Sequence, residues 1–169
     1  VDIAGLVRGA NKGEGLGNKF LTHIRDTDAL CMVLRVFESG DIIHVQGSVD
    51  AVRDLGTIET ELILKDFETV EKFLEKVTKQ AKSGDKEEKK KQEFSQEIYA
   101  VLDSGLSLYA SESFSDDAKE LAHTLGLLTI KKQLFLLNGK EEDVSDDLKS
   151  AIEERGGAYV VSDLGVEGD

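Results

Sequence analysis

The order of apolar and polar positions divides the chain into stretches of different period. Residues 1–7 (VDIAGLV) are short, β-branched and apolar, which predicts the end of a buried strand. A glycine-rich loop follows from Gly9 to Gly17, and from Asn18 the 3–4 spacing of Phe20, Leu21 and Ile24 predicts a helix. Ala29–Phe37 is a nearly continuous apolar run, the pattern of a parallel strand covered on both faces. On that reading its lone cysteine, Cys31, is inert core. Strand, glycine loop, helix and strand together make one βαβ unit.

Residues 38–56 are mixed and loop-like, with one short extended piece at 42–45. The period then changes. Ile63, Phe67, Val70, Leu74, Val77 and Ala81 recur at spacings of 4, 3, 4, 3 and 4, a heptad seam in a helix from Ile58 to about Lys82. Ser83-Gly84-Asp85 breaks it, and a second helix to about Asp103 places Phe94, Ile98 and Val101 on one face. Two helices joined so tightly pack antiparallel, with a seam too narrow to form a core, and project from the α/β body. Ser115 caps a short helix reaching about Leu125, and Leu134–Asn138 is a buried strand. Ser145 caps a further helix ending at Gly156-Gly157, and Ala158–Val161 is a last strand. The expected organisation is an α/β sheet domain in two parts, 1–56 and 126–169, with a helical insertion at 57–125.

Composition narrows the class. With 34 acidic against 21 basic residues and a formal net charge of −13, bulk attraction to nucleic acid is excluded, though a local basic patch is not. No run approaches the roughly 20 uncharged apolar residues of a membrane helix, and one cysteine excludes an internal disulfide framework. The expectation is a cytoplasmic protein with neither membrane nor sequence-specific DNA partner. A chain opening on Val-Asp, with its sole methionine at Met32, also reads as part of a longer polypeptide.

Two tetrapeptides at strand ends carry candidate chemistry, since ligands of open α/β sheets bind there. In Asp2-Ile-Ala-Gly5, a carboxylate can hold Mg²⁺ through water and a glycine N–H can meet a terminal phosphate; the plain alternative is an ordinary turn. In Asn138-Gly-Lys-Glu141, a carboxylate can accept from purine N–H groups while the Asn amide braces neighbouring loops; the plain alternative is a polar turn. His23, His44 and His123 have no metal-ligand spacing. Lys86, Lys89, Lys90 and Lys91 at the hairpin tip could touch RNA or an acidic partner, but interleaved Glu87 and Glu88 favour a solvated helix end.

The string DIAGLVRGANKGEGLGNKFLTHIRDTDAL, with IIHVQGSVD, TELILKD and LLNGKE after it, resembles the YchF / Obg-like ATPase subfamily of the Obg-related P-loop GTPases. The resemblance covers nearly the whole chain and implies a Ras-like sheet domain with an inserted antiparallel coiled coil. It implies that Asp2 holds Mg²⁺ through water, that Gly5 lies near the γ-phosphate, and that Leu6 replaces the water-orienting glutamine of related GTPases. Leucine can neither orient nor deprotonate water. Asn138 and Glu141 match an altered base-reading motif, N-x-x-E for N-K-x-D, which goes with use of ATP as well as GTP. Gly139 should lie beside the base, and Ser162 matches the start of the fifth nucleotide motif, from which Asp163-Leu164 departs. The implied parent is a Mg²⁺-dependent ATP- or GTP-hydrolysing switch that associates with the ribosome through its hairpin; the alternative is a non-enzymatic hairpin interaction module on an α/β scaffold. No G-x-x-x-x-G-K-[ST] occurs, so this chain alone is expected to be inactive and to leave apolar sheet surface exposed.

Overall fold

A computed structural model describes residues 24–25, 27–37, 50–82 and 84–165. Asp2, Gly5, Leu6, the Gly9–Gly17 loop, the start of the helix expected from Asn18, the extended piece at 42–45, His23 and His44 lie outside the described residues. The described elements are β1 (Ala29–Arg35), α1 (Ala51–Ala81), α2 (Lys86–Asp103), α3 (Asp116–Thr124), β2 (Lys132–Asn138), α4 (Asp146–Glu154) and β3 (Ala158–Ser162). They form two compact units, residues 1–58 with 132–169, and residues 59–131.

In the first unit the strands form a parallel sheet in the order β1-β2-β3, with Arg35, Asn138 and Ser162 in register. Alternation puts Met32, Leu34, Phe135 and Leu137 on a buried face, together with Leu148 and Ile152 of α4. A Cβ on Gly157 would stand 2.4 Å from the Phe135 ring, so the chain enters β3 there without a side chain. The opposite face is open: Val33, Leu134 and Val160 are 55, 41 and 53% exposed, and Cys31 is exposed beside them. Cys31 is therefore not the core residue its apolar run suggested. The run records a strand built for cover on both faces, and the described residues supply cover on one.

Helix α1 also begins earlier than its heptads suggest. Asp50 caps it, its carboxylate accepting from Arg53 N at 3.0 Å, and Leu55 in the first turns is 1% exposed. Gly56 sits inside the helix with open space where a side chain would be, a tolerated cost of about 1 kcal/mol that masked the helical signal. At ~1.5 Å per residue its 31 residues extend about 46 Å.

The second unit carries its own core, which corrects the expectation of a seam too narrow for one. Ile63 and Val70 of α1, Ile98, Val101 and Leu102 of α2, and Ala118 and Ala122 of α3 join Leu108, Phe114, Leu127 and Ile130 in one buried cluster. The third helix widens what would otherwise be a two-helix seam. Toward the tip the seam narrows to Val77 and Ala81, with Gln92 donating to Thr78 across the hairpin at 3.2 Å. Asp85 caps α2 and Ser115 caps α3 through their side chains. Both helices end on a left-handed glycine, Gly105 and Gly126, with the paired backbone bonds of a Schellman motif.

The best-connected polar group of this unit is Asp66, 2% exposed. One carboxylate oxygen accepts from Leu128 N and the other from Thr129 N and Thr129 Oγ1, all at 2.7 Å. Thr129 O in turn accepts from Ser107 Oγ and Tyr109 N. The segment leaving α3 is thereby fastened to the middle of α1. No described helix is long and apolar enough to cross a membrane.

Candidate functional site

The carboxyl ends of the three strands converge in register, and this brings the later sequence candidates together. Val36 N donates to Asn138 O at 3.0 Å, and Gly139 N donates to Ser162 O at 3.1 Å, so hydrogen bonding continues one residue past the paired strands. The side-chain oxygen of Asn138 accepts from Leu164 N at 3.1 Å, tying the loop after β2 to the loop after β3. Asn138 thus braces a neighbouring loop, leaving its amide N–H₂ for other partners.

Gly139 is required by two facts. Its φ is +151°, and an added Cβ would lie 2.6 Å from Val36 Cγ2 and 3.5 Å from the Phe37 ring. The tight approach holds the backbone of the Asn138 loop against the end of β1. Arg35 lies over Phe37 at 5.8 Å from the ring centroid.

Beyond Gly139 the chain makes a short 3₁₀ turn, Glu141–Asp143. Lys140 N donates to Asp143 Oδ2 at 3.0 Å, and Asp143 N donates back to Lys140 O. This closes the turn and leaves the Glu141 carboxylate exposed, with no partner among the described residues. It is an acceptor-only group at the edge of a loop held from two sides, suited to receive exocyclic or ring N–H groups of a base. Ser145 then caps α4 through Leu148 N at 3.2 Å.

In the loop after β3, Asp163 accepts from Gly165 N at 3.1 Å, so its carboxylate is engaged within its own turn, and Leu164 is 42% exposed. The structure therefore brings Asn138, Gly139 and Ser162 into contact, with Glu141 on the following turn; Asp2, Gly5 and Leu6 are not among the described residues. No three His, Cys, Asp or Glu side chains come together as a metal site among the described residues.

Sequence reading missed a neighbouring depression of about 320 Å³, lined by Val36, Asp50, Ala51, Val52, Asp143, Ser145 and Leu148. Its walls come from the end of β1, the start of α1 and the start of α4. Two helix caps, Asp50 and Ser145, face one space, a juxtaposition that no local motif announces.

Among the described residues, a parallel sheet in the order β1-β2-β3, interrupted between β1 and β2 by a separate helical unit, is the architecture of a P-loop NTPase fold with a helical insertion. No family model matches the chain. It is 46% identical over 145 residues to the ribosome-binding ATPase YchF of Bacillus subtilis, covering 86% of this chain and 39% of that protein. It is 44% identical over 147 residues to the Obg-like ATPase 1 of Saccharomyces cerevisiae, covering 84% of this chain and 37% of that protein. The solved structure of the Schizosaccharomyces pombe YchF GTPase matches with a TM-score of 0.75 at 33% identity, over 95% of this chain and 46% of that one. The chain belongs to the YchF / Obg-like ATPase family, and spans less than half the length of these relatives.

Proposed function

We propose that this chain supplies the base-reading half of a nucleoside triphosphatase switch and the hairpin through which that switch docks on the ribosome. The observation that carries the reading is the doubly braced loop at 138–141, which presents one unengaged carboxylate at the end of a parallel sheet. Glu141 accepts from purine N–H groups, Gly139 lets the backbone approach the base, Asn138 holds the loops, and Ser162 closes the site from the neighbouring strand. A carboxylate can accept from the N6 amino group of adenine and from N1–H and the N2 amino group of guanine, so either purine fits the acceptor. Relatives named as ATPases and as a GTPase support ATP or GTP.

Phosphate chemistry falls to residues outside the described set. In this reading Asp2 would hold Mg²⁺, Gly5 would offer its N–H to the γ-phosphate, and Leu6 supplies no side-chain base for the attacking water. Mg²⁺ bound with the nucleotide would neutralise charge on the phosphates. Relatives named as ribosome-binding ATPases support a ribosomal partner and a cytoplasmic setting.

The 169-residue chain by itself should bind nucleotide poorly. Four outlying polar contacts contribute about 0.5–1.5 kcal/mol each, below the roughly 8 kcal/mol that micromolar affinity requires. Isothermal titration of MgATP and MgGTP into the chain checks this, and micromolar binding would show the phosphate site to be misassigned.

In the parent protein, Glu141→Ala removes a charge-assisted hydrogen bond of about 1.5–3 kcal/mol. Steady-state turnover should show kcat/KM for ATP and GTP falling roughly ten- to hundredfold, carried by KM. Unchanged KM for both nucleotides would refute the assignment of Glu141. For the hairpin, residues 59–131 should be excised as a unit, because a shorter cut at 58–103 strands Leu108, Phe114 and Leu127 without their packing partners. Ribosome co-sedimentation should then be lost; its retention would refute hairpin docking.

A further inference from the structure

The tip of the hairpin reverses the charge of the molecule. Residues 72–91 hold eight lysines against four acids, within a chain of formal net charge −13. The acids are also partly committed: Asp85 caps α2 through Glu87 N and Glu88 N, and Glu88 pairs with Lys91 at 2.7 Å. Lys72, Lys76, Lys79, Lys82, Lys86, Lys89 and Lys90 are exposed and make no ion pair among the described residues. Elsewhere in the same unit, Lys65 and Lys119 do pair with carboxylates three residues away.

Helical geometry orders these charges. Lys72, Lys76 and Lys79 stand at i, i+4 and i+7, one stripe of α1 about 10 Å long at ~1.5 Å per residue. Val70, Val77 and Ala81, which face the seam, lie on the opposite side of that helix. Lys86, Lys89 and Lys90 add a second exposed group in the first turns of α2, with Lys89 across from buried Ile98 and Lys90 at the tip end of the Phe94 and Val101 stripe.

The chemistry of the tip favours a polyphosphate over a protein surface. Protein interfaces are depleted in lysine and anchored by aromatic or large apolar groups. None of the exposed large apolar residues described falls within 72–91. The tip also has no arginine for bidentate reading of base edges and no exposed aromatic ring for stacking on bases. What it offers is mobile point charges in two rows, the equipment for meeting a nucleic-acid backbone without reading its sequence.

We propose that the hairpin tip is a phosphate-backbone contact site for structured RNA, with Lys72, Lys76 and Lys79 as one row of contacts and Lys86, Lys89 and Lys90 as the other. This deepens the docking reading given above and rests on it for the source of the RNA.

The test uses the 169-residue chain and a fluorescently labelled RNA duplex of mixed sequence, with affinity followed by anisotropy over a range of salt. The chain should bind, and the slope of log affinity against log salt should fall by about two to three in Lys72→Gln/Lys76→Gln/Lys79→Gln. A second triple variant at Lys86, Lys89 and Lys90 should do the same, and the matching Lys→Arg variants should keep the slope. All these side chains are exposed, and helical circular dichroism verifies that each variant is folded. An unchanged slope in both Gln variants would overturn the proposal. So would binding of poly-glutamate as tight as that of RNA, which would make the partner an acidic protein. Ribosome co-sedimentation of the same variants in the parent protein separates the two claims. Retained co-sedimentation in the lysine variants, with loss on excising 59–131, overturns the tip proposal and leaves hairpin docking standing.

Discussion

Replacing Asp66 by Ala tests the energetic centre of the helical unit. The carboxylate accepts from Leu128 N, Thr129 N and Thr129 Oγ1. Thr129 is fully buried, so its N–H finds no water when the acceptor goes. The hydroxyl can rotate to another acceptor, but the two amides cannot. Each buried amide left without a partner costs about 1–3 kcal/mol, and the total for Asp66→Ala comes to about 2–5 kcal/mol. A unit of this length has about 4–11 kcal/mol to lose, at roughly 0.05–0.15 kcal/mol per residue. The variant therefore stands near the unfolding threshold of residues 59–131. Asp66→Asn keeps one acceptor oxygen and should lose about half as much. Urea unfolding followed by far-ultraviolet circular dichroism would record the Ala variant as a midpoint lowered by more than about 1 M, at ordinary m-values. Native-state hydrogen exchange adds the local readout, with faster exchange at Leu128 and Thr129 before the seam of α1 and α2 opens. A midpoint within about 0.3 M of the parent chain, with unchanged exchange at those amides, would show that the carboxylate is not what satisfies them.

At the base loop, Gly139→Ala forces a Cβ against Val36 at a φ that side chains rarely adopt. It should cost about 1–3 kcal/mol in urea unfolding and accelerate exchange of the Leu164 amide; an unshifted midpoint would mean that the loop is looser than described. At the open sheet face, Cys31 should react with a thiol reagent in the folded chain at a rate close to that of an unfolded control, and strong protection would restore the core reading.

How far the sequence could be read depended on the range of the signal. Strand positions and caps are local, so Ser115, Ser145 and the Gly156-Gly157 pair marked boundaries that the structure keeps within a residue or two. The heptad placed Val70 and Val77 on the seam for the same reason. Asp66 was overlooked because a single acid among many looks like helix surface. Its position, three residues after Ile63 and four before Val70, puts it on the buried face, and that was the available clue. The early start of α1 was hidden by Gly56, whose propensity argues against a helix that Asp50 and Leu55 nonetheless hold. Asn138 and Glu141 stood out as a polar tetrapeptide after a buried strand, Gly139 and Ser162 were singled out only through the family resemblance, and the register of the parallel strands is what sets Ser162 beside Asn138. The depression shared by Asp50 and Asp143 was not legible, since its walls lie roughly a hundred residues apart in the chain.

The open sheet face governs how this segment behaves as material. Val33, Leu134 and Val160 form a patch of branched side chains on rigid strands, and such a patch lowers its free energy by meeting another like it. Protein concentration therefore becomes a variable in every measurement on the isolated segment. Dilution series belong beside each melting curve, and mild detergent or a single lysine at Val33 should sharpen transitions that otherwise broaden with concentration.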